Sequence, residues 1–169
     1  MIYNIIVAVC NDNGIGFNNT IPWYSKEDMK HFAKITKGNG NNVVVMGHNT
    51  WNSIPDNKRP LANRENIVMS KNKDLVIDNC VVKNSITDVI QHVNEQAYDI
   101  CWIIGGESIY EQFLKETVIS NILITRINET HNCTSFFPPL SQDFVLTEIK
   151  QLDNTQHHLE FYINVLCSS

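Results

Sequence analysis

Two acids stand side by side in Ser25-Lys26-Glu27-Asp28-Met29-Lys30-His31-Phe32, and their positions on a helix differ. Ser25 reads as an N-cap, because serine accepts a hydrogen bond from an orphan backbone N–H at a helix start. Stepping onward at about 100° per residue puts Glu27, Lys30, His31 and Lys34 on one, solvated face. Met29, Phe32, Ala33 and Ile35 fall on the other, and Asp28 falls with them. A carboxylate on an apolar face costs free energy unless something pairs with it. Ser25-x-x-Asp28 also fits a capping box, in which Asp28 bonds back to its own helix start. From this stretch alone the two readings stay open.

The other groups able to do chemistry gather where strands should end. Asn11-Asp12-Asn13-Gly14-Ile15-Gly16 is a turn-rich loop after an apolar run. Gly47-His48-Asn49-Thr50 opens a short helix whose free N–H groups suit an anion, although a plain connector anchored by Trp51 and Ile54 would look the same. Ser70-Lys71 follows a third apolar run. Gly105-Gly106-Glu107-Ser108 sits between strand and helix, as a diphosphate cradle would. It lacks the G-x-G-x-x-G spacing, so taken alone a tight turn is the simpler reading. Arg59 and Arg64 lie in a loop with Pro55 and Pro60; an exposed arginine is the ordinary role for such a residue.

The elements that must position these groups alternate. Apolar runs predict buried strands over 2–10, 42–46, 67–69, 100–104 and 122–127, with weaker ones at 75–77 and 81–82. Helices are expected from 26, just after 47, from 86 and after 106. Residues 144–149 and 158–166 close the chain as strands, the last with a period of two that suits antiparallel pairing. The fold class is therefore α/β: a central mixed sheet, mostly parallel, with an antiparallel C-terminal strand and about four flanking helices. In such sheets ligands bind at the carboxyl ends of the strands. The chain is expected to be one domain over 1–169.

With 169 residues and a formal net charge of −5, the chain can bury a substantial core. It has no lysine or arginine run, which argues against nucleic acid as a partner. No apolar stretch reaches membrane-spanning length, and Met1-Ile2-Tyr3-Asn4 lacks the basic start of a signal peptide. The five cysteines, Cys10, Cys80, Cys101, Cys133 and Cys167, are odd in number and widely spaced. Reduced thiols in a cytoplasmic protein are expected, and no metal site.

Taken together, the motifs resemble dihydrofolate reductase over essentially the whole chain. They are Asp12-x-x-Ile15-Gly16, Ile21-Pro22-Trp23, Asp28-x-x-x-Phe32, Met46-Gly47-x-x-Thr50-Trp51-x-Ser53-Ile54, Arg59-Pro60-Leu61-x-x-Arg64, and Ile104-Gly105-Gly106 with Tyr110. The resemblance implies NADPH-dependent hydride transfer to C6 of 7,8-dihydrofolate with protonation at N5, in support of one-carbon metabolism and thymidylate synthesis. It implies Asp28, Trp23 and Thr125 at the catalytic centre. It places Ile6, Ala8, Met29, Phe32, Ser53, Ile54, Leu61, Arg64, Ile104 and Tyr110 around the substrate, with Arg64 clamping its α-carboxylate. It places Ala8, Ile15, Gly16, Gly47, His48, Asn49, Thr50, Met69, Ser70, Lys71, Gly105, Gly106, Ser108 and Ile109 around NADPH. A monomer is implied, with fusion to thymidylate synthase, or excision from such a bifunctional chain, left open.

Three positions depart from the family pattern. His48 stands where Arg or Lys is usual near the cofactor's 2′-phosphate, leaving Lys71 as the second cationic position. Glu107 replaces a glycine or small residue. Thr134-Ser135 occupies the place of a common Asp-Thr pair, so the loop over 14–21 is expected to be less firmly latched. The alternatives are a same-fold reductase of another pterin or pyrimidine intermediate, and a non-catalytic folate- or nucleotide-binding module. A substrate without a glutamate tail would leave Arg64 without a partner, and a binding module would not need Asp28 with Thr125.

Overall fold

A computed structural model of the chain describes residues 1–167; the last two residues of the expected 1–169 domain lie outside the described residues. In chain order the elements are β1 (Ile2–Val9), β2 (Gly14–Gly16), α1 (Lys26–Lys37), β3 (Val43–Gly47), α2 (His48–Ser53), β4 (Glu65–Met69) and β5 (Val81–Lys83). There follow α3 (Ile86–Asn94), β6 (Ile100–Ile103), α4 (Glu107–Glu116), β7 (Asn121–Arg126), β8 (Ser135–Phe136), β9 (Phe144–Gln151) and β10 (His158–Asn164). Eight strands form one sheet in the order β5-β4-β3-β6-β1-β7-β10-β9. All neighbours from β5 to β7 run parallel. β10 is antiparallel to both β7 and β9. The expected α/β class with an antiparallel C-terminal end is what the chain adopts.

The strand period of two sorts the central residues between two faces. Ile5, Val7 and Val9 join Val43, Val45 and Ile67 on one side. There α3 and α4 close over them with Ile86, Val89, Val93, Ile109, Tyr110 and Phe113. Ile6, Val44, Met46 and Val68 belong to the opposite side with Trp51 and Trp102. This second face is thinly covered. Of all α1, only Thr36 is buried. Phe32 and Ile35 are half-buried against the sheet, and Met29 is 54% exposed. The expected inward turn of Met29 and Ala33 is thus corrected: they share the apolar face of the helix, but both are exposed among the described residues. His31, expected in solvent, is half-buried.

Residues 75–77 do not form a strand. Val76 is exposed, and Leu75 N–H donates to Asn72 O in a turn. The edge of β4 that it could have joined is taken by β5, in the register Ile67 with Val81. A two-stranded sheet of β2 and β8 went unanticipated; it pairs Gly14 with Phe136 and Gly16 with Ser135. Between β2 and α1 the chain folds back at Phe17–Thr20. Asn18 and Asn19 take positive φ there, a conformation asparagine tolerates better than most residues.

Candidate active site

Ser25 caps α1, its Oγ accepting from the Asp28 N–H at 3.2 Å. The Asp28 carboxylate turns across the sheet instead of back to its own helix: Thr125 Oγ1 donates to its Oδ1 at 2.5 Å. Thr125, on β7, is 2% exposed, so this acid is held by a group that has no other access to water. Burial raises the Asp28 pKa above the ordinary carboxylate value. The Thr125 hydrogen bond and the nearby His31 and His157 pull the other way without cancelling it. Glu27, by contrast, pairs with Lys30 at 3.4 Å. It lines a separate polar hollow of about 380 Å³ with Lys26, Glu129 and His157. Adjacent acids therefore have different surroundings, as their helical phase suggested. Trp23 is half-buried and packs at 5.6 Å, centroid to centroid, on His131. The His131 Nε2 lies 2.7 Å from Glu129.

Of the residues expected around a substrate, Ile6, Phe32, Ile54, Leu61 and Ile104 belong to the thinly covered face. Ala8 is half-buried on β1, and Met29 is exposed on the apolar side of α1. Ser53 is exposed and donates its hydroxyl to Thr50 O at 2.6 Å, within its own helix. Tyr110 is buried on the closed face and donates to Ile6 O at 3.0 Å, so it supports β1 from behind. Arg64 is half-buried. Its Nη1 donates to the Thr36 hydroxyl and its Nε to Ala62 O at 3.0 Å. Burial pushes its pKa down, and among the described residues no acid opposes that shift.

Asn66 sets the loop before Arg64. Its side chain accepts from Leu61 N at 2.9 Å and donates to Leu61 O at 2.9 Å and to Arg64 O at 3.0 Å. Arg59 precedes a cis peptide to Pro60, lies over the Trp51 ring, and donates to Trp51 O at 2.9 Å. Neither Thr36 nor Asn66 was anticipated as part of this region. A polar residue inside an apolar strand or on a helix's buried side is the only signal the sequence carries for them.

The glycine groups meet at the carboxyl ends of β3 and β6. Gly47 N–H donates to Gly105 O at 2.8 Å. Gly47 and Gly106 are the N-caps of α2 and α4, and with no side chain to accept from them the first N–H groups of both helices are left to other acceptors at the strand ends. Gly105 has φ +110°, and a Cβ there would lie 3.0 Å from the Tyr110 hydroxyl. A Cβ on Gly47 would lie 3.1 Å from Ile109. Tyr110 and Ile109 are thus the floor beneath the glycines. Thr50 Oγ1 would be 3.5 Å from a Cβ on Gly106. His48 and Thr50 are half-buried, while Asn49 and Ser108 are exposed. Ser108 Oγ accepts from Gln112 at 2.8 Å. On neighbouring β4, Met69 is buried at the strand end, Ser70 is half-buried and Lys71 is exposed.

Ile15 packs against the core from β2, beside Gly16. The glycine loop, expected to be less firmly latched than with an aspartate at 134, is held at this point by Thr134. Thr134 N–H donates to Gly16 O at 2.8 Å, and its Oγ1 accepts from Asn18 N at 2.9 Å. A threonine hydroxyl can accept one backbone N–H as an aspartate does.

Comparison with known proteins adds an independent line. The dihydrofolate reductase family model matches residues 2–167. The dihydrofolate reductase of Heliothis virescens is 32% identical, over 96% of this chain and 95% of the relative. That of Drosophila melanogaster is 34% identical, over 84% of this chain and 82% of the relative. A bifunctional dihydrofolate reductase-thymidylate synthase of Plasmodium chabaudi is 32% identical over 89% of this chain, which aligns with 33% of that longer protein.

Proposed function

We propose, for a chain that belongs to the dihydrofolate reductase family, that it reduces 7,8-dihydrofolate to 5,6,7,8-tetrahydrofolate with NADPH. The half-buried Asp28 with Thr125 behind it is the observation that carries this reading. Its two oxygens suit the 2-amino group and N3–H of a pterin, which present two donors side by side. The raised pKa of Asp28 favours proton delivery toward N5, through water beside Trp23. Phe32, Ile54 and Leu61 share the thinly covered face and would line the substrate between the acid and Arg64. The guanidinium, half-buried with no acid paired to it among the described residues, is suited to the substrate's α-carboxylate.

The glycine end fits a dinucleotide. Two uncapped helix starts and a cradle in which Cβ atoms at Gly47 and Gly105 would crowd Ile109 and Tyr110 favour a diphosphate approached by backbone. When bound there, NADPH supplies the hydride for pterin C6. Gly47, His48, Asn49, Thr50, Gly105, Gly106 and Ser108 would hold it, with Ser70 and Lys71 toward the 2′-phosphate. Ala8, Ile15 and Gly16 would hold the nicotinamide side, with Met69 and Ile109 beneath. Glu107, in the first turn of α4, is itself a carboxylate at a helix start and competes with the diphosphate for that field.

The same reading takes residues 1–169 as one cytoplasmic reductase domain, a monomer or one part of a chain joined to thymidylate synthase, serving one-carbon metabolism and thymidylate synthesis, with neither nucleic acid nor membrane as partner. Among the described residues, no helix is long and apolar enough to cross a membrane. The test is oxidation of NADPH with dihydrofolate, for wild type and Asp28→Asn. Turnover by wild type and its collapse in the variant are expected. Tight binding of both ligands by wild type without turnover would overturn the reading in favour of a binding module. Equal turnover of a pterin lacking the glutamate tail would remove Arg64 from it.

A further inference from the structure

Two cysteines flank the glycine loop at its base. Cys10 follows β1 and is fully buried; Cys133 immediately precedes Thr134 and is half-buried. They are 123 positions apart in sequence, yet their Sγ atoms lie 3.6 Å apart, both as free thiols. Gly14 lies against the pair. A Cβ there would come within 2.4 Å of Cys133 Sγ and 2.8 Å of Cys10 Sγ, so only glycine leaves the two sulfurs room at this spot. The backbone on both sides is already in register. Cys10 N–H donates to Gly14 O at 2.9 Å, Asn11 N–H to Glu129 O at 2.9 Å, and Phe137 N–H to Asn13 O at 2.8 Å. A disulfide needs the sulfurs at about 2.05 Å, an approach of roughly 1.5 Å that side-chain rotation and a small loop shift can supply.

We infer that Cys10 and Cys133 form a redox modification site that takes a low-molecular-weight disulfide as oxidant and closes into a cross-link between the glycine loop and the 129–137 segment. Cys133, the more accessible thiol, loses its proton to solvent and attacks one sulfur of the small disulfide. A mixed disulfide forms on Cys133 and one small thiolate leaves. Cys10 then gives up its proton and attacks Cys133 Sγ, releasing the second small thiolate. Two protein thiols are oxidised and one small disulfide is reduced to two thiols. Burial, followed by the hydrogen bond and charge of Cys10, raises the Cys133 pKa, so the first step quickens as pH rises.

The cross-link would pin residues 11–16, which carry Ile15 and Gly16 of the proposed nicotinamide contacts. Its effect on ligand release therefore rests on the proposed function; its formation does not.

The test incubates reduced full-length protein with oxidised glutathione at about pH 8, quenches by alkylation, and maps the thiols by mass spectrometry. Expected are a linked Cys10–Cys133 peptide and loss of those two of the five thiols. Cys10→Ser should stop at glutathione on Cys133, and Cys133→Ser should leave Cys10 unmodified. In stopped-flow competition the cross-linked wild type should release NADPH several-fold more slowly, with recovery on adding dithiothreitol. Glutathione on exposed Cys167 with no linked Cys10–Cys133 peptide overturns the site, and needs no variant that could misfold. A linked peptide with unchanged NADPH release overturns the effect on the loop. Failure of the reduced protein to bind NADPH would count against the proposed function while leaving a mapped cross-link standing.

Discussion

The two faces of the central sheet are built from the same kinds of residue and finished differently. On one, α3 and α4 press Val89, Val93, Ile109 and Phe113 against the strands until almost nothing is exposed. On the other, α1 crosses Ile6, Val44 and Met46 but leaves Met29 and Ala33 bare and buries only Thr36. The closed face is covered by the protein's own helices. The open face holds an acid with a raised pKa and a guanidinium with no acid paired to it among the described residues, and on the proposed reading a ligand would satisfy both. Stability should therefore depend on the first face and activity on the second.

The largest test of that division is Asp28→Asn. Loss of the acid should lower kcat by roughly 10²- to 10⁴-fold, measured as NADPH oxidation at saturating dihydrofolate. The same substitution should stabilise the free protein. The pKa of Asp28 is raised on folding, so its favourable, protonated contribution is complete below the ordinary carboxylate range and is lost as pH rises through the folded value. Thermal unfolding should show Asp28→Asn above wild type at neutral pH and level with it at strongly acid pH. An activity loss accompanied by lower stability at pH 7 would break the contrast.

Phe113→Ala is the opposite case. The side chain is fully buried on the closed face, and its removal should cost about 3–5 kcal/mol of stability by denaturant titration. The folded fraction should keep near-normal KM values. Arg64→Leu comes next, with KM for dihydrofolate raised roughly 30-fold or more and kcat little changed, as expected for lost uniform binding. A pterin without the carboxylate tail should not distinguish the two proteins. The smallest effect belongs to Met29→Ala. Exposed in the free chain, it should change unfolding free energy by about 0.5 kcal/mol or less, yet raise KM for dihydrofolate several-fold. A large stability loss there would mean the open face is core after all.

Helical phase was enough to separate Asp28 from Glu27, because the period of 3.6 is written into Met29, Phe32 and Ile35. The same phase could not say whether protein or ligand covers Met29, since both select an apolar side chain. The strand order near β4 was harder. Residues 75–77 and 81–82 are both short and apolar, and only the pairing of Val81 with Ile67 decides between them. The β2–β8 pair was invisible because strands of three and two residues have no period. The Thr134 latch and the Cys10–Cys133 contact join positions more than a hundred residues apart, which no local spacing encodes. Glycine turns at strand ends were legible as turns, but not the uncapped convergence of α2 and α4 upon one another.

One helix joins the two polar ends of the open face. Asp28 sits in the first turn of α1; Thr36, which receives Arg64, sits near its last. They are eight residue steps apart, about 12 Å along the axis. On the proposed reading α1 is a ruler, and the length of ligand it admits is counted in backbone steps. Adding one residue between the marks would lengthen the span by only about 1.5 Å, but would swing one mark about 100° around the axis relative to the other. Ligand length in this fold therefore cannot drift by small increments. It can change only by whole helical turns, or by moving the loop that Asn66 holds.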